Sequence, residues 1–139
     1  MSVEEEAKRL HELGFNCTQS VLCACRAHTG LDDDTALAIG GGFGGGVRCG
    51  EICGAILGGV MALSMAFPFT EASDTASKKH IYELSKEYVL SFQNEFGQLR
   101  CRELKGGRYP CALLIDYAAI EAEKMIQREE AKEKTDGNL

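Results

Sequence analysis

The sequence predicts an all-α domain, a single compact bundle of five to seven helices around a central glycine-rich helix. Three observations lead there. Apolar residues recur at helical spacing, most plainly Ile81, Leu84, Tyr88, Phe92 and Phe96. Helix start and stop signals punctuate the chain at Asn16, Asp32, Gly14 and Gly30. No β-branched alternating run of the kind that forms strands is present.

The elements follow in order. Glu4 to Leu13 forms a short helix with Ala7, Leu10 and Leu13 on one stripe, ended by Gly14. Asn16 caps the next helix and Gln19 completes a capping box, which puts Cys17 at the first helical position. That helix runs to about His28, burying Val21, Leu22 and Cys25, and Gly30 stops it. Asp32, Asp33 and Asp34 cap a third, short helix and place negative charge at its positive end.

The stretch from Gly40 to Phe69 organises the rest. A glycine connector, Gly40 to Gly46, leads into a helix expected from about Val47. There Gly46, Gly50, Gly54 and Gly58 recur every fourth residue and hand over to Ala62 and Ala66. Each helical glycine costs about 1 kcal/mol relative to alanine, so the stripe predicts close approach by another backbone. Met61 and Met65 are expected in the core. Ile52 to Phe69 is uncharged, but it holds three glycines, ends at Pro68 and lacks aromatic and basic belts, so it reads as a buried helix rather than a membrane span.

Ser73 or Asp74 then caps the long amphipathic helix. A short turn with Leu99, Cys101 and Leu104 follows, broken by Gly106-Gly107. Pro110 opens the last helix with Cys111 beside it and Leu114, Ile115, Ala118 and Ala119 on its buried face. The expected boundaries are one all-α domain over residues 1–128 and a solvated tail over residues 129–139, a division that suits the 139-residue length.

A formal charge of -6 excludes a phosphate-backbone partner, since binding nucleic acid needs a basic face. Met1-Ser-Val-Glu-Glu-Glu is acidic and polar rather than leader-like, and leads to the expectation of a reducing cytoplasm. In that compartment seven cysteines point to metal ligation, redox chemistry or packing more than to permanent staples.

Cys17, Cys49 and Cys111 are expected in first helical turns, where thiolate character is raised. Cys53 is expected one turn beyond Cys49 on the same helix. Rungs one turn apart are poorly placed for a disulfide, so Cys17, Cys101 and Cys111 all stand as partners for Cys53. Four of the seven arginines, Arg26, Arg48, Arg100 and Arg102, adjoin a cysteine, and cationic neighbours stabilise thiolates. Cys23 and Cys25 read as core residues.

The spacings CxC and CxxxC give only a weak zinc signal and no ferredoxin pattern. His11, His28 and His80 are expected on solvated helix faces. The GxGxxG at Gly40, Gly42 and Gly45 lacks a preceding strand and implies no nucleotide fold. Gly44, Gly45 and Gly46, with Arg48 and Cys49, remain candidates to approach an anion or cofactor.

In order and spacing these residues resemble a family of small bacterial and archaeal proteins described as redox-active. The family is named for a cysteine, a Gly-Cys-Ala or Cys-Gly-Ala motif followed by xxG, and two further cysteines. Cys17 in GFNCTQSVL, Cys53-Gly54-Ala55-Ile56-Leu57-Gly58, Cys101 in FGQLRCREL and Cys111 in GRYPCALL correspond to them, and the likeness runs from Gly14 to about Ala119. The resemblance implies redox activity, with an iron-sulfur or other prosthetic group suspected and no substrate named. Cys49, Cys23 and Cys25 lie outside the named four.

The expectation is therefore a thiol protein in which Cys17, Cys53, Cys101 and Cys111 converge. Cys53 or Cys111 attacks or accepts electrons, a second cysteine resolves, and Arg48 or Arg102 stabilises negative charge. A second reading makes the same four sulfurs ligands of a metal or iron-sulfur cluster. A third makes the chain a helical interaction module that docks through its glycine stripe. Expected partners are a redox protein or a small thiol or anionic ligand, with a homodimer open and no nucleic acid or membrane.

Overall fold

The computed structural model describes residues 1–105 and 108–137, so the Gly106-Gly107 break lies outside the described residues. The fold is all-α. Its helices are α1 Val3–Glu12, α2 Cys17–Ala24, α3 Arg26–Thr29, α4 Asp33–Gly40, α5 Gly54–Ala66, α6 Thr75–Phe96, α7 Cys101–Lys105 and α8 Cys111–Gly137. Among the described residues no helix is long and apolar enough to cross a membrane.

The start signals act where the sequence places them. Asn16 and Gln19 close a capping box on α2, Asp32 Oδ1 accepts from the Thr35 N–H, and Asp74, rather than Ser73, caps α6. The caps satisfy N–H groups that a helix leaves unpaired. The second predicted helix is, however, two. Cys25 leaves helical geometry at φ -88°, ψ 11°, dividing α2 from the single turn of α3, and its side chain is fully buried.

Helix α5 is the centre. Gly54, Ala55, Ile56, Gly58, Gly59, Ala62 and Leu63 are all buried, and α2, α3, α6 and α8 pack around it. From α6 come Ile81, Leu84, Tyr88, Phe92 and Phe96, the face its spacing predicts. Leu114, Ile115, Ala118, Ala119, Ala122, Met125 and Ile126 line α8. Met65, expected inside, is 41% exposed and Met61 is half-buried, because both lie with Leu57, Val60 and Ser64 on the less buried face of α5.

The helix expected from about Val47 does not form. Gly45, Gly46, Val47 and Arg48 all take left-handed backbone, with φ of 68°, 64°, 57° and 61°. Gly46 and Gly50 therefore belong to a tight turn, not to a helical stripe. A side chain at Gly46 would collide with the Glu51 backbone. The glycines that do act as a stripe are used internally: Gly58 meets Thr18 and Val21 of α2, and Gly59 meets the Tyr88 hydroxyl of α6. This overturns the reading in which the stripe is a surface for an outside partner.

Two histidines also differ from expectation. His28 Nε2 lies 2.9 Å from Glu123 Oε2, and His80 Nε2 lies 2.9 Å from Glu129 Oε1, so both tie α8 to its neighbours instead of facing water. Glu129, at the start of the stretch read as a tail, is 8% exposed and also meets Arg128 at 2.9 Å and Lys132 at 3.0 Å.

Candidate functional site

Cys53 sits at the junction of turn and helix. With φ -52° and ψ 131° it is the N-cap of α5 rather than a residue one turn inside it, so it and Cys49 do not share a helix face. Both sides of its backbone are anchored. The Cys53 N–H donates to the Leu99 carbonyl at 2.8 Å, and the Cys101 N–H donates to the Glu51 carbonyl at 2.7 Å. These bonds flank an antiparallel bridge between Ile52 and Arg100, which lays the segment before α5 beside the segment before α7. Cys53 and Cys101 are thereby held together, both buried.

Cys17 arrives from the other side, on α2. The Thr18 hydroxyl donates to the Gly54 carbonyl at 2.8 Å, fixing the start of α2 against the start of α5. A methyl group at Gly54 would overlap the Cys17 sulfur and come within 2.7 Å of Thr18 Oγ1. At Gly58 it would lie 2.8 Å from the Thr18 carbonyl oxygen. The two glycines let the helices touch, and that contact carries Cys17 to Cys53.

The acidity of Cys53 reports the same cluster. Burial pushes its thiol up to about 11; the N–H groups of Ala55 and Ile56 oppose this, and negative charge on Cys17 or Cys101 reinforces it. Those N–H groups approach the sulfur without closing a regular capping bond. Cys25 is pushed up to about 12 by burial and by Glu123, and Cys23 upward by burial and Asp33. Both behave as the packing residues the sequence predicts.

The remaining candidates are placed differently. Cys49 is exposed on the left-handed turn, its sulfur 3.4 Å from the Gly46 carbonyl, and it is in no helical first turn. Cys111 opens α8 as predicted and is half-buried against the core. Arg100 and Arg102 turn to Glu51, with Arg100 Nε 3.3 Å from Glu51 Oε2, and Arg102 Nε also donates to the Gly50 carbonyl at 3.3 Å. Arg26 is held by Glu6 and Asp33, with one nitrogen 3.9 Å from the Cys23 sulfur. Arg48 is exposed. Gly44 packs on Asn16, whose amide donates to the carbonyls of Gly40 and Gly41, so the connector is folded onto the start of α2.

Sequence reasoning missed Thr18 and Glu51, the residues that clamp the cluster. The small-residue spacing Gly54 to Gly58 was the available signal for the first, since it demanded a neighbouring backbone. Nothing local marked Glu51.

Residues 15–135 match the model of the family described as "Putative redox-active protein (C_GCAxxG_C_C)". The chain belongs to this family. No curated protein and no solved structure matches it. In the C_GCAxxG_C_C family's terms, the small residues of the central motif seat Cys53 beside Cys17, and the third cysteine, Cys101, is brought in by the bridge. Among the described side chains no group of three or more His, Cys, Asp or Glu is arranged to hold a metal ion.

Proposed function

We propose that the protein exchanges thiols with disulfides through Cys17 and Cys53, in a reducing cytoplasm. The observation that carries the reading is the Cys17 sulfur lying over Gly54, beside the Cys53 N-cap. Cys17 is half-buried and within reach of a partner, whereas Cys53 is buried and holds its proton at neutral pH. That supports Cys17 as the attacking sulfur and Cys53 as the resolving one.

In the first step the Cys17 thiolate forms a bond to one sulfur of a partner disulfide. The partner S–S bond breaks, and the other sulfur leaves as a thiolate that takes a proton from water. Cys53 then loses its proton to solvent and attacks the Cys17 sulfur, releasing the second partner thiol. Two cysteine thiols become one disulfide, and one partner disulfide becomes two thiols. Ala55 and Ile56 present their N–H groups to the developing Cys53 thiolate. Cys101 lies beside the new bond and offers a second route for the same exchange.

The test is alkylation and peptide mapping by tandem mass spectrometry after incubation with oxidised or reduced dithiothreitol. A link between Cys17 and Cys53 is expected in the oxidised sample, absent from the reduced one and from Cys17→Ser. Seven alkylated cysteines in both samples would overturn the proposal.

A further inference from the structure

A cavity of about 520 Å³ opens between the end of α6 and the first half of α8. One wall is aromatic. Phe96 meets Tyr109 and Tyr117 edge-on, at ring separations of 5.0 and 5.1 Å. Leu113 and Ile120 add apolar surface, and both are exposed, 44% and 39%.

The rim is acidic. Among the described residues Glu95, Asp116 and Glu121 border the cavity, against a single cation, Lys124. Some carboxylates elsewhere are matched, Glu6 with Arg9, Glu51 with Arg100, Glu87 with Arg128 and Glu129 with Lys132. Among the described residues the three at this rim have no ion-pair partner. Burial raises the Tyr117 pKa, its hydrogen bond to Ser91 opposes that, and the negative charges of Glu121 and Glu95 raise it further. The cleft along α6 at Lys78, Lys79 and Lys86 shows no such excess of negative charge.

We propose that this cleft docks a partner protein through a basic, apolar segment, an arginine or lysine seated between Asp116 and Glu121 with a neighbouring aliphatic residue on Leu113 and Ile120. A cation above an aromatic wall gains from ring and carboxylate together, and the apolar surface favours a residue beside it. A free amine fills only part of 520 Å³ and leaves Leu113 and Ile120 exposed. The docking does not depend on the thiol exchange proposed above.

The experiment is a 15N–1H NMR titration of the whole chain with three probes. These are a peptide of alternating arginine and leucine, the same peptide with glutamate for arginine, and argininamide alone. The arginine-leucine peptide is expected to shift amides of residues 113–124 and Phe96, at least ten-fold more tightly than argininamide, with no response to the glutamate peptide. Asp116→Asn with Glu121→Gln should weaken it about ten-fold while leaving the rest of the spectrum in place. Leu113→Ser should weaken the peptide and leave argininamide unchanged. Shifts outside the cleft, equal binding by the double variant, or argininamide binding as tightly as the peptide would each overturn the proposal.

Discussion

The sulfur of Cys17 occupies the space that any side chain at Gly54 would need. Helix contact and thiol placement are therefore one interaction, and the first prediction follows. Gly54→Ala should destabilise the protein by about 1–3 kcal/mol, the range for overpacking a filled site, even though alanine is the better helix former. Gly58→Ala should be at least as damaging, because it meets the Thr18 carbonyl, which cannot rotate away. Adding Cys17→Ala to Gly54→Ala should restore part of the loss. Urea denaturation of the four proteins checks this, and an undiminished midpoint for Gly54→Ala would refute it.

Alkylation should separate the cysteines by pH. With its thiol pushed up to about 11 by burial, Cys53 should react with iodoacetamide slowly at pH 7 to 8 and accelerate toward pH 11. The shift also affects stability. The folded state keeps a proton that the unfolded state releases near 9, so this contribution is whole below pH 9 and is lost as pH rises through about 11. Cys25, at about 12, adds to the loss in the same direction. Cys53→Ala should flatten the alkaline limb of a thermal-stability profile. Fast Cys53 labelling in the native protein at pH 7 would contradict the buried-thiol assignment.

Much of this arrangement was legible in the chain. Capping residues, the α6 face and the position of Cys111 after Pro110 depend on local chemistry, and local chemistry is written in adjacent residues. The turn at Gly46 to Gly50 was not legible, because a four-residue glycine repeat is compatible with a helix, and only the bridge from Ile52 to Arg100 decides against it. That pairing joins segments nearly fifty residues apart, with no periodic pattern to announce it. His28 and His80 were misplaced for a similar reason: Glu123 and Glu129, which draw them in, lie far along the chain.

Acid should loosen the far end of α8. Burial alone would raise the Glu129 pKa, but hydrogen bonds from His80, Lys132 and Arg128 outweigh it and hold the carboxyl down at about 2. A depressed carboxylate contributes stability that is whole above its ordinary value of 4.5 and is lost as pH falls through about 2. Glu129→Gln should therefore be less stable than the parent at pH 6 and approach it near pH 2. Thermal melts across that range read the difference, and a gap that stays constant with pH would rule out the ionic explanation.

The left-handed turn gives the last prediction. Val47 and Arg48 hold φ of 57° and 61°, conformations that crowd a Cβ against the following carbonyl and are rare for a β-branched residue. The crowding costs about 1–2 kcal/mol per residue, while glycine loses roughly 0.5–1 kcal/mol more backbone entropy on folding. Val47 is 46% exposed, so removing its side chain sacrifices little burial. Val47→Gly should then raise stability by about 0.5–1 kcal/mol, and Val47→Ala, which keeps the Cβ, should not. Because the Gly46 carbonyl lies 3.4 Å from the Cys49 sulfur, the glycine variant should also loosen that contact and speed alkylation of the thiol. A Val47→Gly protein less stable than the parent, with Cys49 unchanged in rate, would mean that the turn is not strained and does not restrain Cys49.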